Sequence, residues 1–161
     1  MLHYIQATSA GFNRDHTGAA RQLYGRAWLA GWLSRTWARL TGQTTHLLTL
    51  AEATTVQASG NCYSAGWQLV PIDRIQGSQG RCLDFDRYFY PQRDHLKSRW
   101  LGVAAAQKLG VALPPVELIQ VGDIYFVRDG HHRISVAKAM GQLEINAEVR
   151  VWEVKENGIK N

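Results

Sequence analysis

LPPVELIQVGDIYFVRDGHHRISVAKAMG, residues 113–141, holds a whole structural unit in one line. Val116–Val121 (VELIQV) and residues 124–128 (IYFVR) are short, β-branched and apolar, which is the pattern of strands. Between them stands Gly122-Asp123, a two-residue hairpin signal with glycine first, as a type II′ turn requires. The second strand runs into Asp129-Gly130, and a helix is predicted at once over residues 132–141, ending at Gly141.

The strand–turn–helix junction is where chemistry is expected. A helix N-terminus carries unpaired N–H groups and about half a positive charge, so an anion placed there gains several hydrogen bonds together. Gly130 lets a ligand approach the backbone, and Arg133 in the first turn offers a planar fork for phosphate or carboxylate. An arginine there opposes the helix dipole, which favours a bound anion over a purely structural role. The alternative is a plain turn with Asp129 as the cap and Arg133 paired to a neighbour. His131 and His132 are adjacent and so point about 100° apart on a helix, a poor arrangement for one shared metal. Either is a candidate base or phosphate donor, His131 the more so for catalysis, or a packed turn residue.

Upstream, QLVPIDRI (68–75) reads as a strand and Gly77-Ser78-Gln79-Gly80-Arg81 as a turn able to present N–H groups. The loop DFDRYFYP (84–91) follows, with Asp84 and Asp86 flanking Phe85. Paired carboxylates of this kind hold Mg²⁺ beside phosphates, or simply solvate a loop around buried Phe85 and Phe89. Residues 93–110 read as a helix stopped by Gly110. Arg93, Lys97 and Trp100 fall near one of its faces, His95 and Arg99 on another. Downstream, residues 145–154 alternate strictly, with Ile145, Ala147, Val149 and Val151 on one face, as in a strand buried on one side.

These pieces order themselves as an α+β fold, a small mixed β-sheet with flanking helices. The segment from about Val70 to Val154 resembles the ParB/sulfiredoxin superfamily: VPIDRIQGSQGR is similar to its opening strand and Arg-ended turn, and residues 113–141 to its hairpin, Gly-x-x-Arg turn and helix. The resemblance implies a nucleotide site for ATP or CTP with Mg, in which Arg81, Gly130 and Arg133 contact phosphate and Arg99 supplies a further cation. With the neighbouring turn residues, the expected phosphate-binding set is Gly77, Ser78, Arg81, Arg99, Asp129, Gly130, His131, His132 and Arg133. Departures narrow the activity. Sulfiredoxins have cysteine where His131 stands, so sulfinic acid reduction is not expected. ParB proteins have glutamate there, which puts CTP hydrolysis in doubt, and residues 155–161 do not continue into a helix-turn-helix DNA reader. The resemblance therefore implies a nucleotide-binding module or, alternatively, a phosphotransferase of the small-molecule kinase kind or a nucleotide hydrolase using Asp84, Asp86 or His131. DNA binding or nuclease action ranks third.

The N-terminal part differs in character. The chain has 161 residues and a net charge of +5. Residues 1–42 carry five arginines against Asp15, giving +4, whereas residues 43–161 carry 13 Lys/Arg against 12 Asp/Glu, giving +1. The basic balance belongs to the N-terminal segment and does not describe a nucleic-acid-coating domain. Residues 13–41 are predicted as one long helix with two faces. Arg14, Arg21, Trp28, Trp32, Arg35 and Arg39 lie on one side; Leu23, Leu29, Leu33, Trp37 and Leu40 lie on the other. The leucine face is expected to pack on the domain and the tryptophans on a second subunit in a homodimer. Nucleic acid or an anionic membrane surface are alternative partners of the Arg/Trp face. Residues 43–66 are rich in Thr, Ser, Ala and Gly and read as a linker with a short helix at LLTLAEA, which places a boundary between 1–66 and 67–154 and leaves 155–161 as a frayed tail. Cys62 and Cys82 form no CxxC pair, no run is long enough to span a membrane, and the start lacks signal-peptide character. A cytoplasmic protein is expected.

Overall fold

The computed structural model describes residues 2–54 and 61–153, with side chains from Thr17 onward. The expected tail at 155–161 lies outside the described residues. The chain order is a long helix α1 (Leu2–Thr41), a two-residue strand β1 (Leu48–Thr49), a short helix α2 (Leu50–Thr54), β2 (Cys62–Pro71), a 3-10 turn (Ile72–Arg74), β3 (Ile75–Ser78), a 3-10 turn (Asp94–Leu96), α3 (Lys97–Lys108), β4 (Val116–Val121), β5 (Ile124–Asp129), α4 (His131–Ala139) and β6 (Glu144–Trp152). The six strands form one mixed sheet in the order β1-β3-β5-β4-β6-β2. Strand pairs β1/β3, β3/β5 and β4/β6 are parallel; β4/β5 and β2/β6 are antiparallel. The molecule is α+β, a mixed sheet flanked by helices.

The hairpin of residues 116–129 is where the sequence put it: Val121 pairs Ile124 across a two-residue turn, with Gly122 at φ 59°. Ile145, Ala147, Val149 and Val151 of β6 face one common core with Val116, Leu118 and Val127, under α1, α3 and α4. A smaller cluster of Leu50, Ile119, Val121 and Phe126 lies on the other sheet face beneath α2. Trp100 of α3 is fully buried, donates its indole N–H to Ser135 Oγ of α4 at 2.8 Å and meets Tyr24 of α1 edge-on at 5.3 Å, tying the three helices together.

Three expectations need correction. The strand expected over 68–75 is two strands on opposite sides of the sheet: β2 ends at Pro71, which fixes φ at −60° and has no N–H to continue the ladder, and the 3-10 turn swings the chain away to β3. The stretch read as linker supplies structure: β1, α2 and the first half of β2. Its residues read as polar because β1 and β2 are edge strands, where one face stays wet and Thr, Ser and Gly cost little. The third correction concerns α1. Ala20, Tyr24, Ala27, Gly31 and Ala38 face the domain, with Trp28 and Arg35 partly covered; of the expected leucine face Leu23 does pack on the core, while Leu29, Leu33, Trp37 and Leu40 face outward. Small residues let α1 approach α3 and the aromatic loop closely, so backbone proximity decided the packed face over side-chain apolarity.

Candidate functional site

The two loops singled out in the sequence do converge. Strand β3 lies parallel beside β5, with Ser78 opposite Val127, so the chain leaving β3 emerges next to the chain leaving β5 for α4. Gln79 N–H donates to Val127 C=O at 2.9 Å and continues the pairing past the strand end. Ser78 is fully buried, and its Oγ accepts N–H bonds from Gly80 (3.2 Å) and Arg81 (3.0 Å). Ser78 Oγ also lies 2.7 Å from His131 Nε2. With two amides already donating to the oxygen, the hydroxyl proton is left to point at Nε2, which assigns His131 as the neutral tautomer protonated on Nδ1. Ser78 thus bolts the 79–81 turn onto the first residue of α4. Its part is to position Arg81, whose N–H it accepts.

Phe85 is the floor of this junction. His131 stacks over its ring at 6.0 Å and His132 meets it edge-on at 5.4 Å. Both histidines are buried and their pKa values are pushed down to about 4, first by desolvation. The next causes are neighbouring cations: Arg81 for His131, and Arg99 then Arg81 for His132, with His95 adding to the latter; Asp84 and Asp129 oppose the shift. Arg81, Arg99, His95, His131 and His132 therefore share one electrostatic neighbourhood, assembled from three separate segments. Arg81 and Arg99 are exposed at its rim, and Arg81 holds Asp84 only loosely, at 3.7 Å. His132 Nδ1 is buried without a hydrogen-bond partner. A buried ring nitrogen of this kind costs roughly 1–3 kcal/mol unless something comes to meet it.

Helix α4 opens toward the same place. Gly130 takes the N-cap position at φ 99°, ψ 19°, which only glycine adopts freely, and no side chain caps the helix there. A Cβ at Gly130 would stand 2.5 Å from Val116 Cγ1, so close packing as well as conformation demands glycine. The first turn contains no acidic residue, and Asp129, just before the cap, is held by Arg133.

Several expected ligand residues have other duties. Arg133 does not offer its fork to an anion: Nη1 donates to the carbonyls of Pro114 (2.5 Å) and Pro115 (2.6 Å), and Nη2 pairs with Asp129 Oδ2 at 2.5 Å. It locks the β4 entrance to α4, and Asp129 is used up as its counter-ion. Gly77 lies within β3, where a Cβ would run into the Phe126 ring, so close strand packing explains the glycine. Asp84 and Asp86 do not act together. Asp86 is fully buried; its Oδ1 accepts from Tyr88 N–H (3.0 Å) and Tyr90 N–H (2.9 Å) and shapes the loop that holds Phe89 at a positive φ of 62°. Desolvation raises its pKa, while Arg35 and Lys138 are the cations that oppose this. Asp84 is tied instead to Arg81 and the histidines. Among the described residues no group of three or more His, Cys, Asp or Glu side chains is arranged to hold a metal ion.

On α1, Arg21, Trp32 and Arg39 are exposed, Trp28 stacks on Tyr24 at 6.0 Å, Arg35 turns inward with Nη1 buried, and the side chain of Arg14 lies outside the described residues. No described helix is long and apolar enough to cross a membrane. His95 joins this neighbourhood although sequence reasoning assigned it no role in the site; its one-turn spacing from Arg99 on the same face was the available signal. The chain matches no protein-family model, no curated protein and no solved structure.

Proposed function

We propose that the protein binds a phosphate-bearing ligand over the N-terminus of α4, gripped by the Arg81 and Arg99 guanidinium groups and by His132, and works as a ligand-controlled binding module. The observation that carries this reading is the unpartnered Nδ1 of His132, buried at the start of α4 beside the exposed Arg81 and Arg99, with Asp84 held only loosely by Arg81. A phosphate accepts from guanidinium forks and helix N–H groups at once, and its arrival favours a protonated, donating His132. The resemblance to the ParB/sulfiredoxin superfamily makes a nucleotide, ATP or CTP, the first ligand to try. That ligand and the two free cysteines suit a cytoplasmic setting.

The experiment is a titration by calorimetry with sulfate, inorganic phosphate, pyrophosphate, ATP and CTP, with and without Mg²⁺. Binding that falls at least about tenfold in Arg81→Ala and Arg99→Ala is expected, since a charge-assisted bond is worth roughly 1.5–3 kcal/mol. No heat and no thermal shift with any of these anions sinks the proposal. Phosphotransfer or nucleotide hydrolysis is the second reading, favoured by Asp84, the site carboxylate left within reach of solvent beside Arg81. Phosphate release abolished by Asp84→Asn would select it.

A further inference from the structure

We infer that the outward face of α1 is a docking surface for an anionic lipid bilayer. Leu29, Trp32, Leu33, Trp37 and Leu40 are 56%, 53%, 53%, 66% and 83% exposed. At 100° per residue they fall within one stripe, and from Leu29 to Leu40 it runs about 16 Å along the helix. Trp32 and Trp37 alone leave on the order of 200 Å² of aromatic surface uncovered, and with Leu29, Leu33 and Leu40 the stripe reaches the few hundred Å² at which an apolar patch marks an interaction site. The stripe continues sideways into a groove of about 540 Å³ between α1 and the aromatic loop, lined by Leu33, Trp37, Tyr88 and Tyr90, with Arg87 stacked on Tyr88 at 4.8 Å.

Charge selects the occupant. Arg26 lies in the stripe, Arg21 and Arg39 lie along its flank beside Trp32, and from Thr17 to Thr41 the helix contains no aspartate or glutamate. A second copy is a poor fit. A two-fold pairing centred on Leu33 sets Arg26 of one helix against Leu40 and Arg39 of the other, and neither helix supplies a carboxylate to neutralise them. A nucleic-acid backbone satisfies the arginines but leaves three leucines with nothing apolar to bury against. An anionic bilayer meets both demands. Leucine and tryptophan sink to the headgroup–acyl boundary, while the arginines stay at the level of the lipid phosphates. The helix lies along the surface, which agrees with its being too polar to cross.

The test is co-sedimentation of the full chain with vesicles of phosphatidylcholine alone and of phosphatidylcholine with phosphatidylglycerol. Pelleting with the anionic vesicles, weakened by high salt, is expected. Arg26→Gln with Arg39→Gln should weaken it about 30-fold, at about fivefold per arginine, and Leu33→Ser with Trp37→Ser should abolish it. Quenching of tryptophan fluorescence by brominated lipid reads the same contact in the unaltered protein, so the idea stands or falls even if a variant misfolds. No pelleting with anionic vesicles overturns it, as does equal pelleting with neutral ones. A wild-type dimer that Leu33→Ser with Trp37→Ser converts to monomer also overturns it, by giving the stripe to a second copy. Duplex DNA displacing the anionic vesicles from the arginines, with the leucine variant binding DNA unchanged, overturns it in favour of nucleic acid.

Discussion

Lowering the pH from 7 to 5 should cost this protein stability through two particular side chains. His131 and His132 are buried beside Phe85, and desolvation together with Arg81 and Arg99 pushes both pKa values from 6.5 to about 4. In the unfolded chain each titrates near its ordinary value. Between about pH 6.5 and 4 the unfolded state therefore binds protons that the folded state refuses, so stability rises with pH across that window. The contribution is complete above 6.5 and is lost as pH falls through the window toward 4. Integrating the linkage for one such histidine gives about 2 kcal/mol lost between pH 7 and 5, and about 3–4 kcal/mol for the pair, a large share of the roughly 5–15 kcal/mol of a small domain. Asp86, whose pKa is raised, acts with the opposite sign, but it does so equally in any histidine variant. The assay is urea denaturation at both pH values for the wild type and for His131→Asn with His132→Gln. These amides keep polar groups in place without titrating. The variant should be less stable at pH 7 yet lose about 3–4 kcal/mol less than the wild type on acidification. A variant that drops as steeply as the wild type would refute the assignment of these histidines as buried and neutral.

Three further outcomes follow from the site. Arg133→Ala should destabilise the fold by about 1.5–3 kcal/mol, because it removes the charge-assisted bonds that tie α4 to the Pro114 and Pro115 carbonyls and to Asp129, whereas Arg81→Ala should cost under about 0.5 kcal/mol; thermal denaturation separates the two. Gly130→Ala should cost about 2–4 kcal/mol from the positive φ and the overlap with Val116, read as a lower urea midpoint with an unchanged slope. Sulfate, whose charge is constant across this range, should bind more tightly at pH 5 than at pH 7, because a protonated His132 adds a donor beside Arg81 and Arg99; calorimetry showing equal or weaker binding at pH 5 would separate His132 from the ligand.

Where the signal was local, the sequence was readable. The hairpin at Gly122-Asp123 and the alternation of β6 are dictated by turn chemistry and by a period of two residues, which act within a few residues of one another. The meeting of the 77–81 turn with the start of α4 was legible as a pattern, yet the division of labour inside it was not. Arg133 and Arg81 look interchangeable in a sequence. Which of them remains free depends on Pro114 and Pro115, nineteen and eighteen residues away, whose carbonyls sit where the Arg133 guanidinium can reach them. Likewise Asp84 and Asp86 are two residues apart, but the loop turns one toward Arg81 and buries the other under two backbone amides.

The chain alone determined an α+β architecture, the strand–glycine–helix junction at 129–133 and a basic, aromatic first helix, because glycine conformation, hydrophobic period and net charge are properties of short stretches. Tertiary packing decided everything that depends on distance: that β2 and β3 part to opposite sides of the sheet, that α1 turns Leu29, Leu33 and Leu40 outward while Ala20, Ala27, Gly31 and Ala38 pack inward, and that His132 is left buried with a nitrogen unmet. Burial and hydrogen-bond satisfaction are settled between segments far apart in the chain, and no window of sequence contains both sides of that contact.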